Sequence, residues 1–378
     1  MTTTVADLQR AMALAYPLEL AQEWDTGIGL TCGDPGAPVR KVLLAVDVDL
    51  LTVTEAIGAD VQLLITHHPL LFRPVQSVAA DTAKGALLHR LIRAGIAHLA
   101  CHTNADDAIG GVNDALAAQL GLVDVRPLEP AAEPALDKIV VFVPVAATEA
   151  VLAAVGAAGA GRLGAYSDAA FVGAGTGRFR PGPAATPTIG AVGRLELVEE
   201  HRVEVIAPRA DRAAVVAALR RAHPYEAPAF DVIELAPRPG RAGSGRLGRL
   251  PEPLSLNEFT ALVARRLPPV AAGVRAAGDP ARRVADVAVC GGAGGSLLGA
   301  AARSDADVFV TSDLSHHVVA EHVADPVRPA VVEVAHWAGE WPWLAAAAGV
   351  IEAATAGTVT TTVSTACTDP WTVHQPSR

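Results

Sequence analysis

The chain has 378 residues, of which 51% are hydrophobic and 19% are charged, and its formal net charge at pH 7 is −10. This length and apolar content suffice for large hydrophobic cores in more than one domain, which argues against a mainly disordered chain. The acidic balance argues against nucleic-acid binding as the main function.

Apolar runs and helical spacing alternate in the first third of the chain. The runs that predict buried strands are residues 41–47, 61–66 and 96–101. The segments with helical spacing are residues 51–59, 82–94 and 111–120. Continuous apolar strands separated by amphipathic helices predict an α/β fold whose mostly parallel sheet is covered on both faces.

The pattern changes in the middle of the chain. Two Pro- and Gly-rich stretches, residues 127–134 and 236–245, are interpreted as linkers. Between them, the predicted strands are residues 138–144, 190–197, 202–206 and 229–235. The predicted helices are residues 148–156 and 212–221, and residues 159–187 are glycine-rich with little periodicity. The β-α-β-β-α-β order predicts an inserted ferredoxin-like α+β domain.

After this insert the first pattern returns. Residues 254–267 and 314–323 predict helices, and the predicted strands are residues 284–290, 307–311 and 330–335. We therefore expect a discontinuous core domain. Its two parts would be residues 1–130 and 246–378, and the inserted domain would be residues 131–245.

Neither the N-terminus nor the cysteines indicate export. The first residues lack a basic segment followed by an apolar stretch, and no run of about 18 apolar residues is present to span a bilayer. The four cysteines lie too far apart in sequence for a zinc ribbon or a disulfide framework. We expect a soluble, cytoplasmic protein without a membrane partner.

Five imidazole and carboxylate side chains come just after predicted strands. They are His67, His68, Asp106, His336 and Glu340. Sites in open parallel sheets gather at the carboxyl ends of strands, because the loops there converge. A single metal ion that keeps one coordination position free for water or substrate usually has fewer than five protein ligands. The pattern therefore predicts two divalent metal ions, and Zn, Fe, Mn, Co and Ni all suit imidazole and carboxylate ligands.

Each of these motifs also has a simpler structural explanation. The adjacent histidines could form a turn before Pro69, and Asp106 could cap the helix that follows it. His336 and Glu340 could be an ordinary i,i+4 pair on a helix face. The glycine-rich residues 291–295 could offer backbone N–H groups to an anion, or could form a tight turn that approaches the metal-binding loops.

Taken in order, these segments resemble one family. It is the NIF-three-like family of dinuclear metal-centre hexameric proteins, also labelled GTP cyclohydrolase I type 2 homologues. The segments that carry the resemblance are residues 23–29, 65–72, 102–106, 289–295, 311–317 and 335–340. They span nearly the whole chain outside the insert.

The insert resembles the extra domain of the longer family members, which is similar to the P-two and copper-tolerance signalling folds. The matching segments are residues 142–144, 159–161, 164–167, 175–179 and 223–226. His223-Pro-Tyr-Glu226 has two interpretations, a structural turn before the last strand or part of a second active site. We favour the turn.

The resemblance implies how the ligands divide between two metal ions. His68 and Asp106 would bind one ion, and His67 and His336 the other. Glu340 would bridge both ions.

The resemblance further implies that His102 and His317 line the same cavity without being primary ligands, where they could act as catalytic proton shuttles. It also implies a homohexameric toroid whose sites face an inner chamber. The family label points to a nucleotide substrate, with opening of the GTP imidazole ring and release of formate.

Three functions follow from these observations. The first is a metal-dependent hydrolase of a small molecule, with GTP as the candidate substrate. The second is a non-catalytic metal-binding, metal-delivery or regulatory ring protein. The third is a ring that encloses nucleic acid, or an adaptor for a partner. This third function would need basic residues such as Arg238, Arg241, Arg246 and Arg249 to line the channel.

Overall fold

The computed structural model describes residues 2–375. Residues up to Ala131 and residues from Arg241 onward form one unit, and Ala132–Gly240 form a second unit. The first unit is therefore built from both ends of the chain, and the second unit interrupts it. The two units are described separately below.

The first part of the chain alternates helices and strands. Its helices are α1 (Val5–Ala15), α2 (Leu50–Gly58), α3 (Ala83–Ala94), α4 (Thr103–Asp107) and α5 (Val112–Leu120). Its strands are β1 (Gly29–Cys32), β2 (Lys41–Ala45), β3 (Leu63–Thr66), β4 (Ala97–Ala100) and β5 (Val123–Ala132). Polar side chains begin the helices: Asp49 caps α2 and Thr82 caps α3 by accepting hydrogen bonds from the first free N–H groups.

The middle of the chain forms the second unit. Its elements are β6 (Leu136–Pro144), α6 (Thr148–Ala157), β7 (Ala170–Phe179), β8 (Glu196–Pro208), α7 (Arg212–Ala222) and β9 (Phe230–Glu234). The order is the predicted β-α-β-β-α-β order, and the strands pair antiparallel in the sequence β7-β8-β6-β9. Apolar residues of α6 and α7 pack on one face of this sheet. This is a ferredoxin-like arrangement.

The last part of the chain returns to the first unit. Its strands are β10 (Pro239–Ser255), β11 (Arg275–Ala277), β12 (Arg283–Ala293), β13 (Val308–Ser312), β14 (Ala330–Glu333) and β15 (Thr360–Val363). Its helices are α8 (Leu256–Arg266), α9 (Leu298–Arg303), α10 (His316–Val323), α11 (His336–Glu340) and α12 (Trp343–Thr355).

The strands of the first unit divide between two sheets. One has the order β1-β4-β3-β2-β15, in which the neighbours from β4 to β15 are parallel and β1 pairs antiparallel at the edge. The other has the order β11-β14-β13-β12-β10-β5, with β12, β13 and β14 parallel. These sheets confirm the predicted class, an α/β core with parallel strands and an inserted α+β unit, although the second sheet is mixed, because β10 pairs antiparallel with β12 and β11 with β14.

One hydrophobic core lies between the two sheets. It joins apolar residues of β2, β3, β12, β13 and β14 to residues of α1, α5, α8 and α12. Trp343 and Phe259 are completely buried there. Full burial of a large apolar side chain contributes roughly 1.5–3 kcal/mol, so this core holds the two ends of the chain together.

Several predicted irregular segments are regular strands, so those predictions were wrong. Residues 127–134 and 236–245, interpreted as linkers, lie largely within β5 and β10. The glycine-rich residues 159–187 include β7, whose side chains are mostly exposed and therefore show no apolar alternation. The strands predicted at residues 190–197 and 202–206 are one strand, β8, which begins only at Glu196.

Arg246 does not lie on a basic surface, contrary to what the nucleic-acid hypothesis requires. Its side chain is 1% exposed, and its guanidinium donates hydrogen bonds to the Asp114 carboxylate at 2.7 and 2.9 Å. It also donates to the backbone carbonyls of Gly243, Gly245 and Ala108.

Among residues 2–375, no helix is long and apolar enough to cross a bilayer.

Candidate metal centre

The candidate ligands meet where strands of the two core sheets end. His67 and His68 directly follow β3, and their backbone N–H groups donate to the carbonyls of Ala45 and Val46. Asp106 is the fourth residue of the short helix α4, which follows β4 after two residues. His336 and Glu340 are the first and last residues of α11, which follows β14. The fold thus brings all five predicted ligands together from distant parts of the sequence.

The ligand atoms lie unusually close to one another. His67 Nε2 is 3.3 Å from Glu340 Oε1 and 3.6 Å from Asp106 Oδ1. His68 Nε2 is 3.1 Å from Glu340 Oε2, and His336 Nε2 is 2.9 Å from Glu340 Oε1. His68 Nε2 and His336 Nε2 are only 3.2 Å apart. Glu340 is therefore central to the cluster, because its two oxygens lie within 3.3 Å of all three imidazole nitrogens.

Three atoms of this cluster are buried and have no hydrogen-bond partner. They are His67 Nε2, Asp106 Oδ1 and Glu340 Oε2. A buried polar atom without a partner costs free energy, and folded proteins rarely leave three of them facing the same point. A cation bound between imidazole nitrogens and carboxylate oxygens would satisfy all three. The residues present therefore fit a metal site.

Hydrogen bonds hold the imidazole rings with Nε2 towards the cluster. His67 Nδ1 is 2.9 Å from the Cys101 carbonyl oxygen, and His68 Nδ1 is 2.7 Å from Asp47 Oδ1. His336 Nδ1 is 2.5 Å from Asp313 Oδ2. In each pair the acceptor is an oxygen, which assigns the proton to Nδ1 and leaves the Nε2 lone pair for a ligand bond. Such outer partners are typical of histidines that bind metal.

Asp313 offers a clean test of these outer hydrogen bonds. Its backbone has a φ of 59°, which glycine adopts without strain, so Asp313→Gly removes the carboxylate without disturbing the turn. We expect this substitution to lower metal affinity roughly 10- to 100-fold, because His336 loses the group that orients it. Competition with a chelator measures the affinity.

The control for this prediction is Asp60→Gly. Asp60 is an exposed aspartate with nearly the same φ, 53°, and it lies outside the cluster. Equal metal affinity in the two variants would mean that Asp313 does not orient a ligand.

The charged groups of the cluster shift one another's pKa values. Burial alone would lower the pKa of His68, but Glu340 and Asp47 outweigh it and raise this pKa well above its ordinary value. The same balance, with Glu340 and Asp313 outweighing burial, raises the pKa of His336 to about 9. Burial would raise the pKa of Glu340, but the neighbouring imidazoles hold it well below its usual range. A bound metal ion must displace these imidazole protons, so affinity should fall as the pH decreases.

Burial shifts both His67 and Asp106 towards their uncharged forms. Burial lowers the pKa of His67, and burial together with the charges of Glu340 and Asp107 raises the pKa of Asp106 well above its ordinary value. A metal ion bound beside Asp106 would stabilise the ionised carboxylate and so lower its pKa again.

The glycine-rich residues 291–295 pack directly against the cluster. A Cβ atom on Gly292 would lie 2.4 Å from Glu340 Oε1 and 3.2 Å from His336 Nε2, and the φ of this residue is +69°. The Gly291 N–H donates to Asn113 Oδ1 at 2.8 Å. These contacts favour the tight-turn interpretation over an anion-binding loop.

His102 lies beside the cluster, as the resemblance implied. Its possible ligand atom and those of His67 and His68 all lie within 4.8 Å of one another, so the geometry also allows it to be a direct ligand. His102 Nδ1 is 2.8 Å from Asp25 Oδ2. Burial would raise the pKa of Asp25, but hydrogen bonds from His102 and Thr103 lower it to about 2. Asp25 therefore stays ionised and keeps the His102 proton on Nδ1.

The cluster opens into a cavity of about 1640 Å³. Trp24, Phe72 and His102 form an aromatic wall, with ring centroids 5.8 to 6.2 Å apart. Trp24 is 59% exposed and Phe72 is 40% exposed, so this wall is accessible. We therefore expect the cavity to accept a planar group beside the metal centre.

His317 does not line this cavity within the described chain, contrary to the expectation. The chain turns at Asp313, which does line the cavity, and α10 then begins at His316. His317 is exposed on the first turn of α10, with its ring beside that of His316.

The role of three aspartates in orienting histidines was not predicted, although Asp25 and Asp313 lie in the segments 23–29 and 311–317 that carry the resemblance. Asp47 and Asp313 follow β2 and β13, and Asp25 precedes β1. The rule that found the ligands, a polar residue just after a buried strand, also applies to Asp47 and Asp313. Nothing in the sequence indicates the pairing of Asp25 with His102, because these residues meet only in the folded chain.

Comparisons with known proteins agree with this architecture. The family model described as Duf34/NIF3 (NGG1p interacting factor 3) matches residues 3–370. The chain belongs to the DUF34/NIF3 family. A Mycobacterium tuberculosis family member named GTP cyclohydrolase 1 type 2 homolog is 49% identical over 380 residues, which cover 100% of this chain and 99% of that protein. A Bacillus subtilis protein of the same name is 41% identical, with 85% of each chain covered.

Solved structures in the DUF34/NIF3 family have the same overall fold. The crystal structure of a Bacillus cereus protein related to NIF3 matches with a TM-score of 0.74 and 36% identity, covering 98% of this chain and 99% of that chain. A Staphylococcus aureus protein matches with a TM-score of 0.83 and 25% identity, covering 98% of both chains. The resemblance inferred from the motifs is therefore confirmed.

Proposed function

We propose that this DUF34/NIF3 protein binds two divalent cations and hydrolyses a small molecule with them. The observation that carries the proposal is the set of three partnerless buried atoms, on His67, Asp106 and Glu340, that face one another. His67, His68, Asp106 and His336 would hold the two ions, and Glu340, whose oxygens lie within 3.3 Å of three imidazole nitrogens, would be shared between them.

The chain's own residues have definable roles in this proposal. Two bound cations would supply a water of lowered pKa and would stabilise negative charge on a substrate oxygen. Trp24 and Phe72 would position a planar substrate group against the ions. His102, tied to Asp25 through Nδ1, would accept or donate a proton at Nε2. His317 lies outside the cavity, so the proposal gives it no role.

GTP is the first substrate to test, because the relatives are named GTP cyclohydrolase 1 type 2 homologs. The charge of the cavity bears on this choice. Eight carboxylate residues line it, and Arg275 is the one Arg or Lys among its described lining residues. Arg275 is already paired with Glu333 at 2.7 Å. The two proposed cations would offset part of this negative charge, so a comparison of kcat/KM for guanosine, GMP and GTP tests whether the phosphate groups are bound at the ions or repelled by the carboxylates.

The deciding experiment measures metal content and turnover on the same samples. Protein loaded separately with Zn, Mn, Fe, Co and Ni is assayed with guanosine, GMP, GTP and a phosphoester panel, with formate release as a readout of ring opening. We expect turnover in metal-loaded wild type and its loss in His336→Ala. If metal binding depends on His336 but the metal-loaded protein turns over none of these substrates, the proposal that the protein is a hydrolase is wrong.

In that case the alternative, a non-catalytic metal-binding or metal-delivery protein, would stand.

The homohexameric toroid expected from the resemblance stays a prediction. A measurement of the mass of the protein in solution tests it.

A further inference from the structure

A second cavity lies in the inserted unit, separate from the metal cluster in sequence and in chemistry. Its volume is about 450 Å³. Apolar and aromatic side chains line most of it, among them Phe142, Phe179, Ile189 and Tyr225. The Phe179 and Tyr225 rings meet edge to face, with centroids 5.6 Å apart. Small-molecule sites have this character, an apolar enclosure with few polar groups.

The buried charged group in this cavity is the carboxylate of Glu200. Glu200 lies on β8 and is only 7% exposed. Its Oε1 accepts a hydrogen bond from the Tyr225 hydroxyl at 2.9 Å. Among the described residues, no Lys, Arg or His nitrogen lies within ion-pair distance of this carboxylate, whereas Glu204 on the same strand is paired with Lys138 and Arg202. A buried carboxylate without a cationic partner is costly.

His223 is not the missing cation. Its Nδ1 accepts a hydrogen bond from the Tyr225 N–H at 3.1 Å, and its Nε2 is 2.9 Å from the Phe142 carbonyl oxygen. An imidazole that accepts at Nδ1 and donates at Nε2 is neutral. The motif His223-Pro-Tyr-Glu226 is thus a structural turn, as expected, and it also holds the Tyr225 hydroxyl against Glu200.

Gly177 on β7 explains how Glu200 reaches this position. A Cβ atom on Gly177 would lie 2.0 Å from Glu200 Oε2, so only glycine leaves room for the carboxylate across the strand. Gly177 and Glu200 both line the cavity. The carboxylate therefore borders the enclosed space, with Oε1 held by Tyr225 and Oε2 without a protein donor.

We propose that this cavity binds a small planar organic cation, an aromatic or heteroaromatic ring that carries an amidinium or ammonium group. The cationic group pairs with Glu200, and the ring packs against Phe179 and Tyr225. The charged residues that line the cavity are Glu200, Glu226 and the exposed Arg178, so an anionic ligand is disfavoured. The inserted unit is then a ligand-binding module whose site does not depend on the metal cluster.

Benzamidine and benzamide form a matched pair of probes, because they share a ring and a shape but only benzamidine is cationic. Each is titrated into the metal-loaded full chain, and binding is followed by saturation-transfer NMR. We expect benzamide to bind at least about tenfold more weakly than benzamidine, because a hydrogen bond to a charged group contributes about 1.5–3 kcal/mol.

The variant Glu200→Gln keeps an acceptor for Tyr225 and removes the charge. It should weaken benzamidine binding at least about tenfold. The control is Glu199→Gln, which removes a charge from the neighbouring exposed residue of β8 and should leave binding unchanged.

Should Glu200→Gln not fold, Gly177→Ala provides a second test, since its methyl group displaces the carboxylate. Equal binding of the two probes, absence of benzamidine binding, or loss of binding equally in Glu199→Gln would each overturn the proposal.

Discussion

Glu340→Gln is expected to abolish stable metal binding. Glu340 is fully buried, and its two oxygens lie 2.9 to 3.3 Å from three imidazole nitrogens. Glutamine has the same shape but lacks the negative charge that offsets two cations. The loss in affinity should exceed the roughly 10- to 100-fold that accompanies loss of an orienting partner. Metal content after dialysis against a chelator measures the effect.

Glu333→Gln is the matched control. Glu333 lines the same cavity but pairs with Arg275 and takes no part in the cluster. Its substitution should leave the metal content at the wild-type level. If Glu340→Gln also keeps wild-type metal content through dialysis, the five residues are not the metal site, whatever the turnover assays give.

Arg246→Ala is expected to be the most destabilising of the substitutions considered. The Arg246 side chain is almost fully buried and donates to Asp114 and to three backbone carbonyls. Its removal leaves Asp114 and these carbonyls without their donor. Arg246 is buried and Asp114 is 28% exposed, so water can solvate part of the remaining carboxylate, and we expect a loss of about 3 kcal/mol, the lower end of the cost of breaking a buried pair. Denaturant titration followed by tryptophan fluorescence measures this loss, because tryptophans such as Trp343 lie in the first unit.

Arg249→Ala provides the comparison on the same strand, β10. The Arg249 side chain is 59% exposed and pairs with Asp286 at 3.2 Å. Exposed pairs contribute about 0–1 kcal/mol, so this variant should unfold close to wild type. Equal destabilisation by the two substitutions would show that burial of Arg246 does not matter for stability.

The apolar runs of the sequence were sufficient to predict most of the core. Residues 61–66, 96–101 and 330–335 are mostly apolar, and each contains a parallel strand, β3, β4 or β14. The placement of polar residues after these runs was enough to predict that five side chains meet. The division of the strands between two sheets was not predictable in this way, because buried strands look alike whichever sheet they join.

The failures have physical causes in particular residues. β7 was missed because its Ala, Gly and Thr side chains face solvent and leave no alternation to detect. The first part of β10, residues 239–245, was interpreted as a linker because it is rich in Pro and Gly, with Gly243 and Gly245 among them. Here they allow close packing, since a Cβ atom on Gly243 would lie 2.2 Å from the Glu129 carbonyl oxygen. The direction of the His317 side chain depends on the residue at which α10 begins, and the spacing of residues in the sequence does not determine that residue.

The pairing of β15 with β2 links Thr360 to Lys41, and so joins the two ends of the polypeptide in one sheet. On the ribosome, His67, His68 and Asp106 emerge long before α11 and β15 are made. The nascent chain therefore carries three of the five candidate ligands and an open strand edge until translation is nearly complete, while the insert can already fold. Under the proposed function, only full-length chains should retain metal ions, and prematurely terminated chains should not.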